Sequence, residues 1–471
     1  MKSFRSARAL SIAVVLIAGT LACNLSAGDP TAVPSPTSPP SVPTPVTEPT
    51  TAPEPTTAPD PTDVPISPTE GSNGSAPLEI LSVNGFLDTF DSWNIVGLVR
   101  NNTDRIVDSV EIEIELFDVD GNSVYVNTTF VDLFNIAPGE VTPFSYTVFE
   151  DLPEADNFVA TVVGNSTTEL DRVYPDVANM NMVHDDSGDT HITGEFVNNT
   201  DQPIEINSLA AATFDAAGEV LTANSYSVSI RYLNPGETGP FRISITGADT
   251  GTSEIDSFVV YTDAEFTDPL GPFGLTISDA LDYVDTFDNL HLVGEVTNDG
   301  DLTLNVNLVA AIYGADGTVL DASDVSLPIN SLPPGETLPY DFDFWGPLDD
   351  TSGLLNQADR YTIQVDAYWT WETTTDLHVL STANDDNTFD DFGGEFNGQV
   401  VNDSGGAVDN ITIVIYLRDL ATDQVVASGY DFIFDELADG ATADYTVFVD
   451  VPEGFDVNTV EYYILVVGER P

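Results

Sequence analysis

Two short signatures recur four times along this chain of 471 residues, and they constrain its fold more than any other feature. The first is Gly-x-x-x-Asn, at 97–101, 194–198, 294–298 and 398–402. The second is Pro138-Gly139-Glu140, then Pro235-Gly236-Glu237, Pro334-Gly335-Glu336 and the degenerate Asp439-Gly440-Ala441. Within each copy the two glycines are 42, 42, 41 and 42 residues apart. Five residues after the second glycine stands an aromatic: Phe144, Phe241, Tyr340 or Tyr445. Two landmarks that keep register over four copies imply four units of about 98 residues each, an ordinary domain size.

Each unit reads as short strands between turns. Over 110–117, Val110, Ile112, Ile114 and Leu116 alternate with Glu111, Glu113 and Glu115, the period-two pattern of a half-buried strand. The corresponding stretches are 206–214, 304–313 and 411–417. Turns follow at 118–121, 215–218 and 314–317, where glycine supplies positive φ and aspartate caps the turn. No segment has the pattern of a long amphipathic helix. The expected fold is therefore all-β, with four tandem immunoglobulin-like antiparallel β-sandwich domains over 78–168, 169–270, 271–375 and 376–471.

The residues before 78 have a different character. Lys2, Arg5 and Arg8 precede an uncharged apolar stretch, 9–21, too short for a transmembrane helix of roughly 20 residues. It ends in Gly19-Thr20-Leu21-Ala22-Cys23, and Cys23 is the chain's single cysteine. Small residues before a lone cysteine resemble a bacterial lipobox, with Thr20 in place of the usual leucine. The resemblance implies a signal peptide over 1–22, lipidation of Cys23 and cleavage before it. An ordinary secretory signal with an incidental cysteine is the alternative. Residues 24–77 hold 15 of the 31 prolines amid Thr, Ser, Ala and Val. Such a stretch lacks core residues and favours extended polyproline II, so 23–77 is expected to be a disordered Pro/Thr-rich tether. At about 3.1 Å per residue, its reach is at most roughly 170 Å.

The Gly-x-x-x-Asn strand, the strand ending in Leu116-Phe117-Asp118, and the Pro-Gly-Glu turn with its aromatic together resemble the FxLYD-type immunoglobulin-like domains of bacterial envelope proteins. The other copies have Thr213-Phe214-Asp215, Ile312-Tyr313-Gly314 and Leu417-Arg418-Asp419, so the likeness fades toward the C-terminus. The resemblance implies a sandwich fold outside the cytoplasmic membrane and transfers no catalytic residues.

Charge narrows the function further. Seventy-eight acidic residues face 11 basic ones, a formal charge of −67. Nucleic-acid binding needs clustered Lys and Arg and is excluded. One cysteine excludes an intrachain disulfide framework. Self-repulsion favours a soluble monomer. No Gly-x-Ser-x-Gly, His-Glu-x-x-His, Walker or dinucleotide motif is present, so an enzyme is not expected.

Three groups of residues are candidates for binding. Acidic stretches precede the repeat glycines, most densely Asp385, Asp386, Asp390 and Asp391, with Asp185, Asp186 and Asp189 in the second copy. Clustered carboxylates in loops are the hard oxygen ligands of Ca²⁺, although none fits an EF-hand; hairpin turns with solvated carboxylates are the simpler alternative. His191 and His291 each stand three residues before a repeat glycine, where the other copies have Asn94 and Glu395, which suggests an exposed position. His184 and His191 flank one acidic loop and can form a transition-metal pair. Trp369 and Trp371, two apart, share a face if they lie in a strand, with Tyr368 beside them. Exposed, they suit stacking on a glycan or a protein ligand; core or interdomain packing is the alternative. No other cofactor is indicated. The expected role is noncatalytic: an envelope-anchored interaction or scaffold module, or alternatively a glycan- or peptide-binding protein.

Overall fold

The alternation along Ile106–Asp118 buries Val110, Ile112, Ile114 and Leu116 fully and leaves the intervening glutamates only partly covered. In the computed structural model this strand is the centre of one sheet of the first sandwich. The described residues are 76–88, 92–150, 152, 155–185, 189–225, 227–245, 255–286, 289–344, 355–390, 393–452 and 455–470. Cys23, the signal segment, most of the tether, Asp186 and Asp391 lie outside them.

Every described sheet pairing is antiparallel, and none joins one repeat to the next. The described residues contain no α-helix, and so no helix long and apolar enough to cross a membrane. In each repeat one sheet, here called the front, centres on the Gly-x-x-x-Asn strand. These strands are Trp93–Asn101, Thr190–Val197, Leu290–Asn298 and Gly393–Val401. Each pairs on one side with the preceding hairpin strand and on the other with the strand carrying the late aromatic. The back sheet centres on Ile106–Asp118, Ile204–Phe214, Asn307–Gly314 or Asp409–Asp419. The two sheets of each repeat enclose one apolar core.

All three sequence landmarks meet at one place in each sandwich. The repeat glycine lies directly across from the aromatic: Gly97 opposite Phe144, Gly194 opposite Phe241, Gly294 opposite Tyr340 and Gly398 opposite Tyr445. The ring covers the bare backbone, and a Cβ on Gly97 would stand 2.5 Å from Phe144. The asparagine four residues on is fully buried in every copy. Asn101 Nδ2 donates to the carbonyls of Arg105 and Ile136 at 2.7 and 2.8 Å, and its Oδ1 accepts from the Thr103 amide and hydroxyl. Asn198, Asn298 and Asn402 repeat this clamp. The asparagine carbonyl also accepts from the amide of the turn glycine, as in Gly139 N to Asn101 O at 2.7 Å. That glycine has φ of 84° in the first copy and between 75° and 82° in the others, a region that favours glycine. The fixed spacing between the two signatures is thus the spacing of two turns tied together by one buried side chain.

Consecutive sandwiches stack the front of one against the back of the next. Val96 and Leu98 of the first front sheet pack on Ala210, Ala212 and Tyr261 of the second back sheet. Val309 of the third repeat joins the core of the second, and Val414 and Val467 of the fourth join that of the third. The central back strands of the second to fourth repeats are accordingly apolar on both faces, as doubly buried strands must be. The two ends differ. The first back sheet presents Glu111, Glu113 and Glu115, and the fourth front sheet presents Glu395, Asn397 and Gln399. These polar residues share the two outer faces with exposed apolar side chains, Val126, Phe130 and Val159 across from the glutamates of the first and Phe448 across from Glu395 on the fourth.

Candidate functional site

The chemistry of this protein is concentrated at the three junctions between sandwiches. In a chain with ten arginines and one lysine, each junction holds an arginine ion pair. At the first, Arg172 reaches Glu140 at 3.1 Å and Asp263 at 3.1 Å, and donates to the Asn135 carbonyl at 2.7 Å. Asp263 also accepts from the Asn135 amide and side chain at 3.0 and 2.7 Å. At the second, Arg242 donates to Asp321 Oδ1 at 2.9 Å, and Asp321 is 0% exposed. Burial pushes the Asp321 carboxyl above its usual range, and Arg242 opposes the rise. Beside it, Thr193 Oγ1 donates to Val319 O at 2.5 Å and the Tyr313 hydroxyl to Glu195 at 2.7 Å, while the Arg360 guanidinium lies 3.7 Å over the Tyr313 ring. At the third, Arg418 pairs with Glu295.

The third junction also holds a histidine among carboxylates. His291 is 3% exposed, which corrects the expectation that its position is exposed. Its side chain projects from the front sheet, and the next sandwich covers that face. His191, at the equivalent position, is buried for the same reason, whereas Glu395 in the last repeat is exposed. Each hairpin aspartate caps its own turn: Asp88, Asp185 and Asp285 accept the amide four residues on at 2.9 Å. Their second oxygen meets Asn94, His191 or His291. His291 Nδ1 contacts Asp341 Oδ1 at 2.9 Å, and Nε2 faces Asp285 Oδ2 at 3.4 Å and Asp343 Oδ1 at 4.0 Å. Asp450 of the fourth sandwich completes the set: one ligand atom each from Asp285, His291 and Asp450 lies within 4.8 Å of the others. Tyr283 stacks on the imidazole at 4.8 Å and donates its hydroxyl to the Asp450 carbonyl at 3.2 Å. Burial lowers the His291 pKa, but Asp341, through its hydrogen bond and its charge, and then Asp343 and Asp285 outweigh it and raise the pKa to about 9. Among the described residues this is the one group of three His or carboxylate side chains whose candidate ligand atoms lie within 4.8 Å of one another.

The candidates read from sequence are placed differently. Asp385, Asp386 and Asp390 lie in the strand Ser381–Asp390, not in a loop. Asp385 faces inward and accepts from Thr382 and the Tyr445 hydroxyl at 2.7 and 3.1 Å, while Asp386 and Asp390 point to solvent, so the three do not converge as Ca²⁺ ligands. A bulge after Ala383 lets the strand absorb these polar residues. Asp185 and Asp189 close a hairpin turn, with Asp189 N donating to Asp185. His184 contacts Thr190 Oγ1 at 3.0 Å, while His191 is held between Asp185 and Ser244, each at 3.0 Å. Both nitrogens of His191 are therefore engaged.

Trp369 and Trp371 do not share a strand. Trp369 sits in a bend whose Tyr368 and Trp369 amides donate to Asp366, and only Trp371 is in a strand, Trp371–Glu372. Both are nearly half exposed, at 46% and 47%, so neither is a core residue. Tyr368 meets Trp369 edge-on at 5.1 Å, and Arg231 of the second sandwich lies 5.8 and 5.9 Å from the two rings.

No family model matches the chain, and no curated protein matches it. Among solved structures, one that matches is the native conformation of alpha-2-macroglobulin from E. coli, at 12% identity and a TM-score of 0.12. That alignment covers 83% of this chain but 28% of the other, so this chain spans little more than a quarter of that protein's length.

Proposed function

We propose that this chain is a noncatalytic bacterial envelope lipoprotein, in which four FxLYD-like sandwiches form a stiff stalk on a Pro/Thr tether anchored through Cys23. The observation that carries the reading is the arginine at every junction. A flexible string of domains has no use for ion pairs held between neighbours, buried at Asp321 and partly buried at Glu140 and Glu295, whereas a rigid spacer does. A groove of about 670 Å³ between the second and third sandwiches is lined by Tyr232, Leu233, Pro272, Phe273 and Glu237 among the described residues. Anchoring is tested by Cys23→Ala in a bacterial host. The variant is expected to move from the detergent phase to the aqueous phase on detergent partitioning, and unchanged partitioning would refute a lipid at Cys23.

The exposed aromatics favour a second role on the same stalk, the capture of a glycan or peptide. Trp369→Ala is expected to leave the melting temperature within about 1 °C, since a half-exposed ring contributes little burial. It is also expected to reduce retention on immobilised envelope polysaccharide at least tenfold. Equal retention by the variant would remove this reading and leave the stalk.

A further inference from the structure

We propose that the His291 cluster binds one divalent transition-metal ion of the zinc class, through His291 Nε2, Asp285 and Asp450, and that this ion cross-links the third sandwich to the fourth. One imidazole nitrogen with carboxylate oxygens is a borderline ligand set, suited to Zn²⁺ rather than to Ca²⁺, which takes six to eight oxygens. The Nδ1 contact to Asp341 fixes which nitrogen faces the ion, as the outer carboxylate does in carboxylate–histidine–metal arrangements. Ligand atoms around four-coordinate zinc stand roughly 3.3–3.6 Å apart, given bonds of about 2.0–2.2 Å. The present spread of up to 4.8 Å closes by rotation of the exposed Asp450 side chain.

Comparison with the second junction gives an independent reason. There the residue paired with Thr193 is Arg242, and its guanidinium neutralises the buried Asp321. In the third repeat the equivalent residue, paired with Val293, is Asp341. At this one position the cation of the second junction is thus replaced by an anion in the third, whose arginine, Arg418, pairs with Glu295 instead. Asp285, Asp341, Asp343 and Asp450 then surround a single imidazole, a surplus of negative charge that a bound dication offsets. The inference stands on this geometry and does not depend on the stalk role.

The test is calorimetric titration of Zn²⁺ into the chelator-treated full chain at high salt, which screens diffuse binding to surface carboxylates. Wild type is expected to bind one saturable equivalent. His291→Gln is expected to abolish it. Asp450→Asn, whose side chain is exposed and whose fold is checked by circular dichroism, is expected to weaken it at least tenfold. Asp386→Asn, on the surface of the fourth sandwich, is expected to leave it unchanged. No saturable equivalent in wild type would overturn the proposal, as would an equivalent that survives His291→Gln and Asp450→Asn or one that Asp386→Asn weakens equally.

Discussion

Arg242→Ala is expected to destabilise the contact between the second and third sandwiches by about 3–5 kcal/mol, because it leaves Asp321 buried without its cation. Asp321 is wholly inaccessible, its Oδ2 has no hydrogen-bond partner, and without Arg242 its Oδ1 keeps the Ala322 amide at 2.7 Å. The loss belongs to the stranded charge more than to the pair itself. Arg242→Met with Asp321→Leu should therefore recover most of the stability, since apolar replacement of a buried pair is often neutral. Urea unfolding distinguishes the cases: the single variant is expected to lose stability and the double variant to regain it. Equal losses in both would mean that the pair acts through shape and not through charge.

Asn298→Ala is expected to cost on the order of 4 kcal/mol within the third sandwich. It removes the Asn298 Nδ2 bonds to the carbonyls of Leu302 and Leu332, 2.7 Å each, leaving the buried Leu332 carbonyl with the Leu304 amide alone, and it frees the Gly300 amide. Asn298→Asp is the sharper variant. It is nearly isosteric but turns both donors into acceptors facing carbonyl oxygens, so a hydrogen-bond clamp predicts a loss at least as large. Scanning calorimetry should show one transition displaced downward by about 15 °C or more. A smaller loss for aspartate than for alanine would show that Asn298 fills space and does not clamp.

The strands, the turns and the fourfold repeat were all legible in the sequence, because period-two alternation and turn residues are local signals. What they build together was not. Gly97, Asn101, Gly139 and Phe144 were visible as landmarks, yet their mutual contact is a tertiary fact that spacing alone does not carry. The junctions do leave a signal in the sequence. Glu111, Glu113 and Glu115 alternate with the core positions in the first copy, while Ala210, Ala212, Ala311, Tyr313, Val414 and Tyr416 hold equivalent outward places later. Loss of the acidic face after the first repeat marks the face that a neighbouring sandwich covers. The same cover explains why tolerance of Asn94 and Glu395 misled the reading of His291: those residues stand at junctions of different composition, or at none. Asp385, Asp386 and Asp390 suggested a loop because aspartate disfavours strands, yet pairing with Gly393–Val401 overrides that preference. The His291 cluster joins residues at or beside the ends of three strands across two sandwiches, a juxtaposition that no local pattern contains.

The central claim is that the four sandwiches form one stiff body. It is tested most directly by a pulsed dipolar distance measurement between spin labels on Asp201→Cys in the second sandwich and Glu436→Cys in the fourth, with Cys23→Ser so that only introduced thiols are labelled. A single narrow distance distribution that does not change with salt is the predicted result, and Arg242→Ala should broaden it. A broad distribution in the otherwise native chain would contradict the account and make the repeats a flexible string.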